Sequence, residues 1–216
     1  MPILLVVGIM PTGEREILGF TVGERENQSA WTELLQNLRQ RGVQTVDLWI
    51  TDGGQAMLNA IAEQFASSQR QRCVRHKLGN VLGYIPQAQQ ASVEPELKAV
   101  FYQADRVSAE QAASAFIAKY EGSYPTAVAC LQRDLTACLT FYDFPARHWK
   151  TIRTNNVVER VFEEAKRRSK KMGAAFRNED SCVLLFYAVV RSLKFQRLTM
   201  PHLTNETAAT PAMPAP

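Results

Sequence analysis

The chain has 216 residues, of which 46% are hydrophobic, so it can bury a core and a wholly disordered chain is excluded. Lys and Arg outnumber Asp and Glu by 25 to 21, a mild excess that suits a nucleic-acid partner but also many ordinary proteins. The apolar run 1–10 is too short to span a bilayer and lacks a basic region and a cleavage site, and the four cysteines lack paired spacing. A cytoplasmic protein with free thiols and no membrane partner is expected.

The first elements predicted along the chain are a β-hairpin and an amphipathic helix. Residues 3–9 and 17–22 are rich in strand formers, and the Pro-Thr-Gly sequence at 11–13 favours a turn between them. Asn27 or Ser29 can cap the helix that follows. Its apolar positions recur at helical spacing and a glycine ends the pattern: Trp31, Leu34, Leu35, Leu38 and Gly42.

A short buried strand comes next and ends at a carboxylate. Residues 46–50 are mostly apolar, and Asp52 follows with two glycines. A helix is then predicted with one apolar side, formed by Leu58, Ile61, Ala62 and Phe65. A second short strand is predicted around residues 71–74. Asp52 therefore lies at a strand tip, which is where α/β sheets place their sites.

The middle of the chain is predicted to be helical. Residues 77 to about 141 are rich in alanine and have little strand character, which indicates an all-helical insertion. Within this stretch, Ser108 and Gln111 have the spacing of a capping box. A polar turn at residues 153–156 then leads into a strongly charged helix at residues 157–171.

The C-terminal part is predicted to contain one more helix and a disordered tail. The helix spans residues 181–198, and its apolar residues are expected to be buried: Leu184, Leu185, Ala188, Val189 and Leu193. Residues 204–216 are Ala, Thr and Pro without periodicity, which is typical of disorder.

Asp52 and Glu159 are the candidate carboxylates for chemistry. An aspartate beside two glycines leaves room for a divalent cation and a phosphate to approach, although an Asp-Gly turn is the commoner explanation of this residue alone. Glu159, in the first turn of the charged helix, can complete an oxygen-ligand site for Mg²⁺ or Mn²⁺. Asn156 and Glu159 also have capping-box spacing, which is the commoner explanation of that motif alone.

Cys73 and His76 have the spacing of half a zinc site. The other histidines are His148 and His202, and no second cysteine pair is present to close a tetrahedral shell. A structural zinc is therefore not expected. His76 can instead contact DNA or assist proton transfer near the metal site.

The helix that follows Glu159 is a candidate DNA-binding element because of its density of cations. These are Arg160, Lys166, Arg167, Arg168, Lys170 and Lys171. Such a set would place several positive charges beside a phosphate backbone. Glu163 and Glu164 leave open the alternative of a solvated, partly balanced face, and the charge pattern does not separate the two.

Several short motifs follow one another along the chain. The first group is Gly8-Ile9, residues 13–19, Trp31 with Leu34-Leu35 and Leu38, Arg41-Gly42 and Thr51-Asp52-Gly53. The second group is residues 71–77, Tyr124-Pro125, Phe144-Pro145 and residues 153–159. In identity and order, between residues 3 and 198, these motifs resemble the Mutator-type family of bacterial insertion-sequence transposases.

The resemblance implies an α/β fold of the RNase H-like kind, with a mixed sheet flanked by helices and interrupted by an all-helical insertion. It implies an acidic triad and two Mg²⁺ or Mn²⁺ ions that activate water or a 3′-hydroxyl for in-line attack on DNA. Asp52 matches the family's second aspartate, Glu159 its glutamate, and Cys73 with His76 its Cys-x-x-His signature. The implied partner is DNA, at transposon ends and target, which would place the bound protein at the nucleoid.

The resemblance, together with the composition of the tail, predicts a division of the chain into four parts. Residues 1–76 would form the first part of the core, and residues 77–150 the helical insertion. Residues 151–203 would supply the C-terminal core helices, and residues 204–216 the tail.

One family feature has no counterpart in this sequence. The family's first aspartate lies on a strand that precedes the one predicted at residues 3–9, and no aspartate precedes Asp47. In the RNase H-like arrangement that strand is central, so its loss would leave two unpaired edges facing each other. We therefore expect a chain that is inactive and poorly stable unless another polypeptide supplies the strand. The expected protein partner is a second copy, in a homo-oligomer, or a complementing transposase fragment.

Three functions are compatible with these features. The first is a transposase core that cleaves and transfers DNA strands. The second is a non-catalytic remnant that binds DNA or pairs with an intact transposase through its helical insertion. The third, a small nuclease of the same fold, is disfavoured by that insertion and by the turn before Glu159.

Overall fold

The chain begins with a β-hairpin. The computed structural model describes these parts of the chain: residues 2–22, 27–171, 179–193 and 195. Strand β1 (Ile3–Ile9) pairs antiparallel with strand β2 (Arg15–Val22). Gly13 has a φ of 84° in the turn between them, a left-handed conformation that glycine adopts without strain. The predicted hairpin is confirmed.

A second sheet consists of two short parallel strands. Strand β3 (Leu48–Thr51) pairs with strand β4 (Gln69–Arg72). The predicted strands were displaced: β3 begins two residues later than expected, and β4 begins two residues before the predicted start at residue 71. Pairing between the two segments sets their limits, and the apolar pattern of either segment alone does not contain that information. The two sheets are not hydrogen-bonded to each other within the described residues.

Helices α1 (Gln28–Gln40) and α2 (Gln55–Gln64) cover one face of the hairpin. The side chain of Asn27 accepts a hydrogen bond from the backbone N–H of Ala30 at 2.9 Å and so caps α1. The predicted apolar face of α1 is buried, as expected. It forms one cluster with residues of β1 and α2: Leu4, Val6, Trp31, Leu34, Leu35, Leu38, Ala60, Ile61 and Phe65. Trp49 of β3 packs against the same cluster.

The predicted apolar side of α2 is only partly buried. Ile61 and Phe65 are buried, whereas Ala62 is exposed and Leu58 is half-buried. Ala60 takes a central place instead. The helix is apolar on more than one side, so its packing against α1 selects the buried face.

The middle of the chain is helical in the structure. Its elements are α3 (Val74–Leu82), α4 (Gln87–Val100), α5 (Arg106–Tyr120), α6 (Pro125–Arg133), α7 (Leu135–Cys138), a 3₁₀ helix (Thr140–Asp143) and α8 (Ala146–Ile152). Phe101 and Phe141 are fully buried at the centre of their common core. The predicted capping box was wrong: Asp105 caps α5 by accepting from the N–H of Ser108 at 2.7 Å, so Ser108 lies inside the helix.

Helices α9 (Asn156–Lys171) and α10 (Glu179–Ser192) cover the opposite face of the hairpin. Leu5 of β1 packs there with Val161 and Phe186, and the ring of Phe20 lies edge-on to that of Phe186 at 4.9 Å. Adjacent residues of β1 thus point into different clusters, as the alternation of a strand requires. The hairpin is therefore enclosed between two helical layers.

The predicted buried face of the last helix was also partly wrong. Cys182, Phe186 and Val189 are buried, whereas Leu184 is 67% exposed and Ala188 is exposed. The helix ends at Ser192, and the predicted tail at residues 204–216 lies outside the described residues. The architecture is a mixed α/β fold in which helices predominate, in agreement with the predicted class. None of the described helices has the length and apolar character needed to cross a bilayer.

A buried ionic cluster connects the end of β4 to the helical region. The ammonium group of Lys77, which is 2% exposed, donates to the carbonyl of Cys130 at 2.7 Å and contacts the Asp134 carboxylate. The Nε of Arg72 lies 3.2 Å from Oδ2 of the same carboxylate. Two cations from the β4–α3 segment thus share one anion, which lies between α6 and α7. Each of the two buried cations depends on that anion for compensation.

We expect the substitution Lys77→Met to lower the free energy of unfolding by about 2 kcal/mol, because it removes the buried hydrogen bond of the Lys77 ammonium to the Cys130 carbonyl and leaves the partly exposed Asp134 carboxylate with one partner fewer. Lys98→Met is the matched control, since Lys98 pairs with Glu94 on the exposed surface of α4 and such pairs contribute about 0.5 kcal/mol. Urea denaturation of both variants measures the difference. Equal losses would show that the buried cluster does not hold the helical region to the strand.

Candidate functional site

Asp52 lies directly after β3, at the strand tip where the sequence predicts it. Its side chain is exposed, and its Oδ1 accepts the N–H of Gly54 at 3.0 Å. Thr51, which is buried, accepts the N–H of Gly53 through its hydroxyl at 3.2 Å. These two short-range bonds shape the turn that leads into α2 and hold the carboxylate at the sheet edge.

Gly53 is required here by backbone conformation and by a close neighbour. Its φ is 85°, and a Cβ built on it would lie 2.1 Å from Nη1 of Arg72. Arg72 has little freedom to move away, because Asp134 holds it. The sequence suggests that the glycines leave space for a cation and a phosphate; in the structure the guanidinium of Arg72 occupies the space beside Gly53.

Cys73 links the ends of the two parallel strands to the turn before α9. Its N–H donates to the carbonyl of Thr51 at 2.7 Å, which continues the strand pairing by one residue. Its buried thiol donates to Oδ1 of Asn155 at 3.1 Å and accepts the N–H of Asn155 at 3.4 Å. Next to it, the N–H of Val74 donates to the carbonyl of Arg153 at 3.1 Å. The polar turn is thereby fixed against the strand ends.

Glu159 projects from the first turn of α9 towards α3. Its Oε2 lies 2.6 Å from Nη1 of Arg75, and its Oε1 lies 3.9 Å from Nδ1 of His76. The structure thus brings together two predicted site residues, Glu159 and His76. Arg75 was missed by the sequence analysis, although its place between Cys73 and His76 in the same motif is a signal that could have pointed to it.

The predicted metal ligands are not gathered into a complete site. Within the described part of the chain, no group of three or more His, Cys, Asp or Glu side chains is close enough to hold a metal ion. The carboxylates of Asp52 and Glu159 are hard oxygen donors, which suit Mg²⁺ or Mn²⁺. Glu159 would have to exchange its ion pair with Arg75 for a bond to the metal.

The side-chain contacts of helix α9 support parts of both interpretations of its charges, namely a DNA-binding surface and a solvated, partly balanced face. Glu164 binds two of the predicted DNA-binding residues, Arg167 and Arg168, with Nε–Oε distances of 2.7 Å. These hydrogen bonds lower the pKa of Glu164 to about 2. The side chains of three further predicted residues are exposed: Arg160, Lys166 and Lys170. The side chain of Lys171 lies outside the described residues.

A positive region adjoins the first turn of α9. Burial and, second to it, the nearby charge of Arg160 lower the pKa of Arg15 at the start of β2. Two guanidinium groups that repel each other in this way gain stability from an anion placed between or beside them. Because Arg160 follows Glu159 in the sequence, this region lies next to the candidate carboxylate.

Comparison with known proteins assigns the chain to a protein family. Residues 1–197 match the sequence model described as "Transposase, Mutator family". The chain belongs to the Mutator family of transposases. The resemblance found in the sequence motifs is confirmed.

Relatives of this Mutator-family chain are insertion-sequence transposases. The transposase for insertion sequence element IST2 of Acidithiobacillus ferrooxidans is 36% identical over 170 residues, which are 78% of this chain and 57% of that protein. The IS6120 transposase of Mycolicibacterium smegmatis is 34% identical over 168 residues, 78% and 52% of the two chains. The IS256 transposase of Staphylococcus aureus transposon Tn4001 is 29% identical over 191 residues, 88% and 48%. The chain spans about half the length of these relatives.

We expect Gly53→Ala to destabilise this family member more than Gly42→Ala. Both glycines have a positive φ, at 85° and 103°, so both variants lose about 1–2 kcal/mol from backbone conformation. Only Gly53 has a neighbour in the way, since nothing lies within 4 Å of a Cβ on Gly42. Overpacking against Arg72 should cost at least about 1 kcal/mol more. The free energies of unfolding of the two variants measure this difference. Equal losses would show that the Arg72 side chain moves away from the added methyl group at no cost.

Proposed function

We propose that this Mutator-family chain is the catalytic-core part of a DNA transposase that cleaves and joins strands at insertion-sequence ends. Asp52 and Glu159 act in it as carboxylate ligands of Mg²⁺ or Mn²⁺. The observation that supports this most directly is the junction at Cys73, which ties the strand end that carries Asp52 to the turn that starts the helix of Glu159. Two carboxylates far apart in sequence are thereby attached to one rigid point.

Each residue of the proposed site has a chemical role. Bound divalent ions would activate a water or 3′-hydroxyl and stabilise the leaving oxygen. Asp52 and Glu159 provide hard oxygen donors for such ions. His76, 3.9 Å from Glu159, is placed to exchange a proton with a group at the edge of the site. Arg75 keeps Glu159 compensated while no metal is bound and is then free to contact a phosphate.

We propose that the core is RNase H-like and that one further strand joins its two sheets. Among the described residues, β1 and β3 each have a partner strand on one edge and none on the other. Both sheets pack under α1 and α2, through Leu4 and Trp49. A strand antiparallel to β1 and parallel to β3 would fill the remaining edges and carry a third carboxylate. A segment outside these 216 residues, in the same protein or in another polypeptide, is the proposed source. Residues 77–150 form the proposed helical insertion.

DNA is the proposed partner of the positive region around α9. Arg15 and Arg160 would contact backbone phosphates without reading sequence, and Lys166 and Lys170 extend that surface along the helix. The described cysteines are free thiols, which suits a reducing cytoplasm and action at the nucleoid.

A non-catalytic DNA-binding role is the second candidate, and one observation favours it. Glu159 is neutralised by Arg75, and the described residues gather no group of three or more candidate metal ligands. A chain of this kind would bind DNA in a salt-dependent way without cutting it.

The decisive experiment is cleavage of supercoiled DNA with Mg²⁺ or Mn²⁺. The chain is assayed alone and with a polypeptide that corresponds to the segment preceding the matched region in a full-length relative. We expect nicking only in the mixture. Asp52→Asn and Glu159→Gln should each lower it by at least about 100-fold, because they remove metal ligands.

Two matched variants serve as controls. Asp47→Asn removes an exposed carboxylate at the other end of β3, and Glu163→Gln removes one from the next turn of α9. Both should leave the rate unchanged. Cleavage that survives Asp52→Asn would contradict the proposed site, and salt-dependent DNA binding without any cleavage would favour the non-catalytic role.

A further inference from the structure

The two side chains of the Cys-x-x-His motif, Cys73 and His76, make contacts with different groups in this structure. His76 faces the carboxylate of Glu159. Cys73 is fully buried, and its sulfur is occupied by both a donor and an acceptor of Asn155. The two side chains therefore do not act together on one ligand, and Cys73 has a separate role.

That role concerns the first turn of α9. The carbonyl of Asn155 accepts the N–H of Val158 at 2.9 Å and that of Glu159 at 3.4 Å. Asn155 is thus held by Cys73 through its side chain and N–H, while its carbonyl begins the helix. A shift of the thiol contact would move the start of the helix and Glu159 with it.

The backbone of Cys73 is hydrogen-bonded to β3, the strand that precedes Asp52. Its N–H bonds to the carbonyl of Thr51, the residue before Asp52. A continuous path of hydrogen bonds runs from Thr51 through Cys73 and Asn155 to Glu159. It requires a side chain that reaches both polar groups of Asn155, and the longer C–S bond of cysteine gives it a reach that serine does not match.

We propose that Cys73 is a positioning residue that sets the separation of Asp52 and Glu159 through its thiol contact with Asn155. This inference rests on the proposed function for its catalytic meaning, but the positioning itself is measurable in a protein without activity. The thiol is neither a metal ligand nor a nucleophile in this role.

The test is a distance measurement between spin labels on α2, which follows Asp52, and on α9. The labels are attached through Ala62→Cys and Glu163→Cys, both at exposed positions, while the described native cysteines are buried. In this background we expect Cys73→Ala to broaden the distance distribution. Cys138→Ala, which empties a similarly buried site in the helical region, should leave it narrow.

A second variant separates positioning from a general loss of stability. Asn155→Ala should broaden the distribution as Cys73→Ala does, and the double variant should add nothing, because the two residues act through one contact. Cys73→Ser should restore part of the narrow distribution. Additive effects, or a distribution as narrow as that of Cys138→Ala, would overturn the proposal.

In a cleaving mixture, Cys73→Ala should lower kcat on the order of 100-fold with little change in KM for DNA, because a misplaced group mainly impairs the chemical step. An unchanged kcat would contradict the positioning role. If no mixture cleaves DNA, the proposed function fails, and the spin-label distances still decide whether Cys73 positions Glu159.

Discussion

The buried amide of Gln71 is the contact on which the placement of the helical region depends. Its nitrogen donates to the carbonyls of Arg72 at 2.7 Å and Cys138 at 2.8 Å, and its oxygen accepts the N–H of Phe141 at 2.7 Å. One fully buried side chain thus satisfies three backbone groups that would otherwise be left unpaired away from water. It holds α7 and the 3₁₀ helix against β4, and so brings Asp134 to the cations at the strand end.

The cations near the strand ends fall into two classes as a result. Arg72 and Lys77 are buried and compensated by Asp134, so they stabilise the junction of sheet and helices. Arg75 and Arg160 lie on the exposed sides of α3 and α9, where a phosphate can reach them. A count of basic residues in the sequence does not distinguish these classes, since the distinction arises from which helix covers the end of β4.

The sequence predicts those parts of the fold that depend on local pattern. The hairpin and α1 follow from residue type and spacing, whereas the exposed side of α10 does not, because Leu184 and Phe186 are both apolar and only packing against β2 selects between them. The same limit applies to the site. The position of Asp52 at a strand tip follows from local sequence, and its pairing with Glu159 as a candidate ligand came from family resemblance. The contacts of Glu159 with Arg75 join segments more than 80 residues apart, which no local pattern reveals.

The bond between Cys73 and Asn155 also bears on the order of folding. These residues are 82 positions apart, and closing a loop of that length in an unfolded chain costs roughly 4 kcal/mol in entropy, apart from a constant term. The helices between them pack largely against their neighbours in sequence and can form early. Packing of these helices shortens the effective loop between Cys73 and Asn155 and brings the two residues close together. The start of α9 is therefore expected to be fixed late in folding, after the helices between Cys73 and Asn155 have packed.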